Sequence, residues 1–422
     1  MSLKLLKNYL SLVIAEAFSK LLVFAAFVYI ARILGPAYFG YVEWAAAVLI
    51  CAGLIVDQGL SSYGTREIAK NPELTAGLVA EIVTARFILA GISYLSLSVF
   101  ALLFVRERVI TELLLIFGIS LLALPLHLNW VFQGHDRMYP VALMNIARYT
   151  IFAGAVFLLV RNAESILFIA IAETAAVSSV AILSIWMYRR SFPLQTNIKP
   201  EFSTGLFREG LPIGLSQIFW VVKMYGATLI VGVIATAEET GYFASAMRIF
   251  IALHAFVWLY YLNLLPSLSR EWQKGPKKFS ELISNSMRIV ITVSLFVAIV
   301  WVLSANFIVT LAYGQKFAAA AAALQWLAGV CAVAAISGHY RFGLIAAGHQ
   351  NKEMLTAALG AVLSVILLPL GYFEWGISGA AAGLCLTELI VLGSAWLIAR
   401  RTLFTENALP KSCPESLPEA TR

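Results

Sequence analysis

The sequence predicts an all-α polytopic membrane protein with about twelve transmembrane helices, arranged as two parallel six-helix lobes around a central cavity. Three observations predict it. Of 422 residues, 61% are hydrophobic and 13% charged, against roughly 45–50% and about 25% in a soluble domain. The apolar stretches are continuous rather than alternating, which selects helices over barrel strands. The first stretches also return, in altered form, halfway along the chain.

A span needs about 20 apolar residues. Twelve stretches qualify: 9–31, 41–60, 79–104, 111–133, 140–160, 164–188, 211–235, 241–269, 282–304, 317–347, 354–373 and 377–400. The first follows Lys4 and Lys7 and lacks a small-residue cleavage site, so it reads as a retained helix. It carries Glu16 and Lys20 near its middle and runs into Arg32-Ile-Leu-Gly-Pro-Ala-Tyr-Phe-Gly40. There a Gly stops one helix, and Pro is poorly placed in a helix interior. The seventh stretch carries Lys223 near its middle and runs into Glu238-Glu-Thr-Gly-Tyr-Phe243, making it the counterpart of the first.

A second echo joins the halves. The fourth stretch ends Phe132-Gln-Gly-His-Asp-Arg137, and the tenth ends Ala346-Ala-Gly-His-Gln-Asn-Lys352. An even number of spans per half gives both lobes the same orientation, as parallel repeats about an axis along the membrane normal. The longest connection carries Arg189, Arg190, Lys199 and Arg208 and falls at the midpoint. The expected division is a lobe at 1–188, a cytoplasmic linker at 189–210, a second lobe at 211–400 and a disordered cytoplasmic tail at 401–422, with Pro410, Pro414 and Pro418.

Positive charge fixes the expected orientation. With both termini cytoplasmic, eighteen of the 30 Lys and Arg fall on the cytoplasmic side, and five on the other: Arg32, Arg106, Arg108, Arg161 and Lys316. The remaining seven lie within spans or at their ends. A chain so placed is a multi-pass membrane protein with both termini cytoplasmic, membrane lipids as partners and no nucleic acid.

Intramembrane charges are the candidate functional residues, because each is costly and persists only when it faces a wet cavity or finds a partner. The bases are Lys20, Arg86, Arg148, Lys223, Arg248 and Arg341, and the acids Glu16, Glu173 and Glu388. Glu16 and Lys20 are four apart and share a helix face. Lys223 has Phe219 and Ala227 at its i±4 positions, Arg248 has Ala244 and Ala252, and Arg341 has Ser337 and Ile345, so none has a local acid. Glu173 and Glu388 are the acids available across helices. Arg86, Arg148, Arg248 and Arg341 stand about 10–12 Å from a helix end, at 1.5 Å per residue, and a long side chain spans only part of that depth. A basic cavity suits an anionic substrate, Arg gripping phosphate oxygens in pairs and Lys acting as a mobile point charge.

The turn Arg32 to Gly40, with Asp57-Gln-Gly-Leu60 and Tyr63-Gly-Thr-Arg-Glu67, resembles the opening of the polysaccharide-biosynthesis flippases. These are the Wzx-type O-antigen transporters of the multidrug/oligosaccharidyl-lipid/polysaccharide superfamily. The resemblance extends over nearly the whole chain through its spans and repeated lobes. It implies a transporter that moves a polyprenyl-pyrophosphate-linked oligosaccharide across the inner membrane by alternating access, for O-antigen, capsule or exopolysaccharide synthesis. Contacts with glycan polymerase or ligase machinery are expected with it. Asp57 and Arg66 frame the next cytoplasmic connection and suggest a latch between helices.

No phosphate loop, HExxH or GxSxG is present, and the five histidines and four cysteines have no metal-ligand spacing. No cofactor, metal or catalytic residue is expected, and energy would come from a gradient or the membrane potential. A pyrophosphate leaving a negative-inside cell gains about 2.3 kcal/mol per charge per 100 mV. Glu16, Glu173 and Glu388 are the candidates for ion coupling. The alternatives are a peptidoglycan-precursor flippase, a drug exporter of the same superfamily, and a membrane glycan polymerase or ligase. Short outward connections weigh against the enzyme, and the basic excess weighs against a cationic drug.

Overall fold

A computed structural model describes residues 3–192 and 224–403, together with Gly214, Ile218, Phe219, Val221 and Val222; of residues 3–18 and Pro276 it describes the backbone alone. Among the described residues all regular structure is helical. The α-helices are α1 (Leu3–Asp57), α2 (Leu60–Lys70), α3 (Thr75–Phe104), α4 (Arg108–Ile119), α5 (Asn129–Gly134), α6 (Met138–Leu159), α7 (Leu167–Ser191), α8 (Gly226–Ile234), α9 (Ala237–Gln273), α10 (Pro276–Tyr313), α11 (Ala320–Ala346) and α12 (Gln350–Leu403). Nine helical stretches of the described residues are long and apolar enough to cross a membrane.

Two of these stretches are pairs of helices. α1 breaks at Gly35, with φ 74° and ψ 175°. Glycine reaches that conformation at no steric cost, and Pro36 then starts the next helix where a missing N–H does no harm. α12 breaks at Trp375 and Gly376. Its two arms run antiparallel, with Gly371 against Gly379 and Gly383 against Leu367. The expected seventh span is described mainly through α8. Counted this way, the chain accommodates the twelve expected spans. The linker beyond Phe192 and the tail beyond Leu403 lie outside the described residues.

The fourth span is less regular than expected. Two 3₁₀ turns, Ser120–Leu122 and Leu124–Leu126, separate α4 from α5. Pro125 explains the break, because it lacks an N–H and its ring clashes with a continuing helix. One helix, α2, was not expected. It is too short and polar to span, but Leu60, Gly64 and Ile68 recur on one face and are buried. Gly64 lets that face close on Trp130, whose ring lies 2.4 Å from where a Cβ would be.

The sequence echo at residues 132–137 and 346–352 has a structural basis in a different register. Arg137 N–H donates to Phe132 O and His349 N–H to Leu344 O, both at 2.8 Å. Asp136 N–H donates to Gln133 O and Gly348 N–H to Ile345 O, both at 3.0 Å. Both are Schellman helix stops. The left-handed residue is Asp136 in one (φ 56°) and Gly348 in the other (φ 81°). The matching Gly-His letters therefore do not superpose, although the turns do.

The helices divide into two groups. α1, α3, α4, α6 and α7 pack on one another, as do α8 to α12, and the groups meet mainly where α1 runs against α9, α8 and α10. The cores reveal how they meet. One large core draws on both groups: Ile30, Phe39 and Val42 around the α1 break, Ala101, Leu113, Val156 and Ile169, then Phe243, Val309, Leu324 and Ala380. These lie toward one end of the bundle, which we call the joined end, and along α1 the same core continues to Ala52 and Val56. At the opposite end the cores are separate. The first group has one around Leu60, Ile82 and Trp130 and another around Phe132 and Met144, and the second has its own around Leu268, Phe279 and Leu344. We call this the split end. There a contact between the groups is made by Gly214, whose Cβ position lies 2.7 Å from Gln58 O.

Both groups finish at the split end in the same way. Arg190 lies over the Trp186 ring at 4.3 Å, and Arg400 over the Trp396 ring at 5.6 Å. An aromatic body with a charged tip suits a membrane–water boundary, so the split end reaches the headgroup level in both groups.

Candidate functional site

The joined end is closed by backbone. Gly40 and Gly241 cross with no room for side chains. Around the crossing, Phe39 packs edge-on against Phe317 at 5.8 Å, and Tyr242 does the same at 6.1 Å. Arg32 Nε donates to Ala312 O at 2.7 Å, and an Nη group donates to Leu311 O. These carbonyls are in the last turn of α10, where a positive charge also meets the negative end of the helix dipole. Thr236 caps α9 in a capping box with Glu239, which also accepts from Tyr372 Oη at 3.0 Å. Reach across the two groups thus comes from residues that the sequence places at turns.

Most of the intramembrane arginines have acids across helices. Arg248 on α9 pairs with Glu43 on α1 at 2.5 Å, and its guanidinium carbon sits 3.1 Å from the centre of the Phe27 ring. Arg148 on α6 pairs with Glu173 on α7 at 2.6 Å. Arg341 on α11 pairs with Glu353, near the start of α12. Arg86 on α3 is 5% exposed and faces Asp57 at 3.5 Å and His127 O at 3.4 Å. Arg86 Nε and Arg148 Nε are buried with no hydrogen-bond partner among the described residues.

The other candidates fall as follows. Lys20 is exposed on α1. Glu16 is on the same helix, but its side chain lies outside the described residues, as does Lys223 entirely. Glu388 is 1% exposed inside the second group and accepts from Ser337 Oγ at 3.2 Å. Asp57 accepts from Ser61 Oγ at 2.5 Å, while Arg66 pairs with Glu67 at 2.8 Å, so the two residues have separate partners in this conformation. Among the described residues, no group of three or more His, Cys, Asp or Glu could hold a metal ion.

The arrangement brings Glu43, Arg248 and Phe27 together, a set that local sequence reasoning did not assemble. The available signal was Glu43 itself, an acid early in an apolar stretch. At the split end, outside the spans, His135 Nε2 meets Thr75 Oγ1 at 2.8 Å and its ring packs on Phe192. Burial and then Arg137 hold its pKa below the ordinary value. Burial, then Lys352, does the same for His349. Glu67 is held below the usual carboxylate range, first by its hydrogen bond from Lys70 and also by Arg66.

A closed joined end, a divided split end and buried charges between helices describe a machine with two related groups. The sequence pattern of the family described as "Polysaccharide biosynthesis protein" matches residues 5–272, more than half of the chain. The chain belongs to this family. Among known proteins, the "Putative O-antigen transporter" of Escherichia coli (strain K12) is 21% identical over 410 residues, covering 94% of this chain and 97% of that one. Among solved structures, "Lipid II flippase MurJ, inward closed conformation" aligns with TM-score 0.76 at 15% identity, over 93% of this chain and 87% of that chain. An inward-facing multidrug resistance MATE family transporter of the MOP superfamily aligns with TM-score 0.72 at 15% identity, over 91% and 94%. At that identity the likeness is one of fold. In this member of the polysaccharide biosynthesis family, α10 to α12 lie beyond the matched residues and rest on the fold likeness. The membrane location and the transporter class follow from the spans, the family and the relative.

Proposed function

We propose that the chain is a flippase for an anionic, polyprenyl-pyrophosphate-linked oligosaccharide, serving O-antigen, capsule or exopolysaccharide synthesis. One observation carries the mechanism: the two groups share a core at one end and have separate cores at the other. That is the shape expected of alternating access, with two lobes rocking about a central path. The bias of Lys and Arg supports a split end on the cytoplasmic side, with both termini there and a lobe on each side of the 189–210 linker.

In this reading the substrate's phosphates enter from the cytoplasmic side and meet the positive charge of Lys20, Lys223 and Arg248. Arg148 and Arg341 also face acids across helices and contribute charge to the path. The membrane potential favours the outward movement of a pyrophosphate. Glu173, Glu388 and Glu16 are the candidates for coupling a proton or sodium ion. Asp57 and Arg66 would come together only in another conformation; because Asp57 also faces the buried Arg86, Arg66→Gln, which leaves that pair intact, is the variant expected to lose transport while the protein is still made. The transporter does no covalent chemistry, and its partners are the lipid-linked glycan, the surrounding lipids and the glycan polymerase or ligase machinery downstream.

The test is the appearance of lipid-linked glycan in the outer leaflet of cells that lack their own transporter. Restoration by this chain is the expected result. A peptidoglycan-precursor flippase would instead restore growth to cells lacking that activity. The fold likeness to MurJ favours keeping this second reading in the same experiment.

A further inference from the structure

We propose that Glu43 holds the place of a ligand phosphate on Arg248, and that an incoming phosphate or diphosphate displaces it and so releases the ion pair tying the two groups together. This rests on the transporter reading above and adds where the ligand's phosphates engage and what their arrival does.

Arg248 and Glu43 belong to different groups and lie 205 residues apart in sequence. Two residues of the first group fix the guanidinium: Glu43 on its Nε edge and Phe27 on its face. Among the described residues its two Nη groups make no hydrogen bond. The Arg248 side chain is 23% exposed while that of Glu43 is 8% exposed, so the open side is the arginine's. A planar fork with one edge held and the other free is set for bidentate capture of phosphate oxygens.

The position suits a trigger. At 1.5 Å per residue, Glu43 lies about 10 Å from Pro36 and Arg248 about 16 Å from Ala237. The pair therefore sits beneath the Gly40 and Gly241 crossing, between the closed joined end and the split end. Carboxylate and phosphate compete for one guanidinium. A ligand shifts a conformational equilibrium only through unequal affinity for the two states, and this competition supplies the inequality. The state in which Glu43 has withdrawn binds phosphate better, and in that state the groups have lost their ion pair. The Tyr313 hydroxyl, in electrostatic range of both residues, is buried without a hydrogen-bond partner among the described residues.

The full chain in lipid nanodiscs tests this, with inorganic pyrophosphate and farnesyl diphosphate as probes. Spin labels at Arg106→Cys and Trp375→Cys report the joined end, in a background with Cys51, Cys331, Cys385 and Cys413 changed to Ser. In the otherwise wild-type protein a longer distance should appear only with probe. In Glu43→Gln it should appear without probe, and pyrophosphate should bind at least about five-fold tighter, because its competitor is gone. Arg248→Gln should bind it at least about ten-fold more weakly. Arg248→Lys, which keeps the charge but not the fork, should fall between and guards against a folding defect in the Gln variant. A joined end that stays closed in Glu43→Gln, or binding indifferent to both residues, would overturn the proposal. Export of glycan that persists alongside that result would leave the flippase reading standing. Probe-driven opening without export of any lipid-linked glycan would support the trigger and sink the flippase reading.

Discussion

Gly40 and Gly241 cross so closely that a Cβ on Gly40 would lie 2.0 Å from Ala237 O, and one on Gly241 would lie 2.0 Å from Pro36 O. Both obstacles are backbone, so neither can swing aside. Gly40→Val or Gly241→Val should keep the joined end from closing while leaving each group's own packing intact. A cysteine probe at Trp375 should become more reactive from that side, and transport should be lost. Unchanged reactivity would mean that the crossing is not a gate.

Arg32 bridges to the end of α10 through the carbonyls of Leu311 and Ala312. It is exposed, so its contribution is modest. Arg32→Gln should cost the closed joined end about 1 kcal/mol, a shift of roughly five-fold toward opening. The distance distribution across the joined end measures it, and no change would reduce Arg32 to a surface contact.

Among the described residues, Arg86 and Asp57 make the most enclosed pairing of a charged side chain in the first group, with Arg86 5% exposed. Removing one partner of a buried pair leaves the other charge uncompensated, at a cost of about 3–5 kcal/mol. Asp57→Asn, which leaves the Arg86 charge buried and unpaired, should therefore lower the melting temperature sharply in detergent. Adding Arg86→Met should recover part of the loss. If the double variant is as unstable as the sum of the singles, the two residues are not coupled.

His135 gives a pH dependence with a defined sign. Its pKa is lowered in the folded protein by burial and by Arg137, so the unfolded chain binds the proton more readily. Stability linked to His135 is present above about pH 6.5, its ordinary value, and is lost as pH falls below that toward the folded pKa. His349 contributes with the same sign. Glu67, lowered by Lys70 and Arg66, loses its contribution only at more acid pH, below the ordinary carboxylate range. Melting temperature should therefore fall between pH 7 and 5.5, and less so in His135→Gln. An equal fall in that variant would remove His135 as a source.

Much of the fold was legible because membrane spans are written in composition. The long apolar stretches and the Gly35-Pro36 break can both be read residue by residue. α2 was not legible as a helix because its buried face holds only Leu60, Gly64 and Ile68, and its fit depends on Trp130, 66 positions beyond Gly64. The same limit applies to the charges. Intramembrane arginines could be found from the sequence, but Glu43 and Arg248 meet only when the two groups come together. Helix spacing reports neighbours three or four residues away, whereas a pair between groups is set by tertiary packing. The echoed Gly-His turns show the opposite case, in which similar letters marked the right place with the wrong register.

The central claim is that an anionic lipid-linked glycan crosses the membrane along a path of positive charge. The most direct measurement is flipping of a fluorescent polyprenyl-diphosphate glycan in liposomes containing the purified chain, either wild type or Lys223→Ala at equal density. The account predicts flipping by the wild type above protein-free vesicles and at least about ten-fold slower flipping by Lys223→Ala, since each lost charge–phosphate contact is worth a kcal/mol or more. Equal rates in the two proteins would contradict the charged path, and a wild type no faster than empty vesicles would contradict the flippase itself.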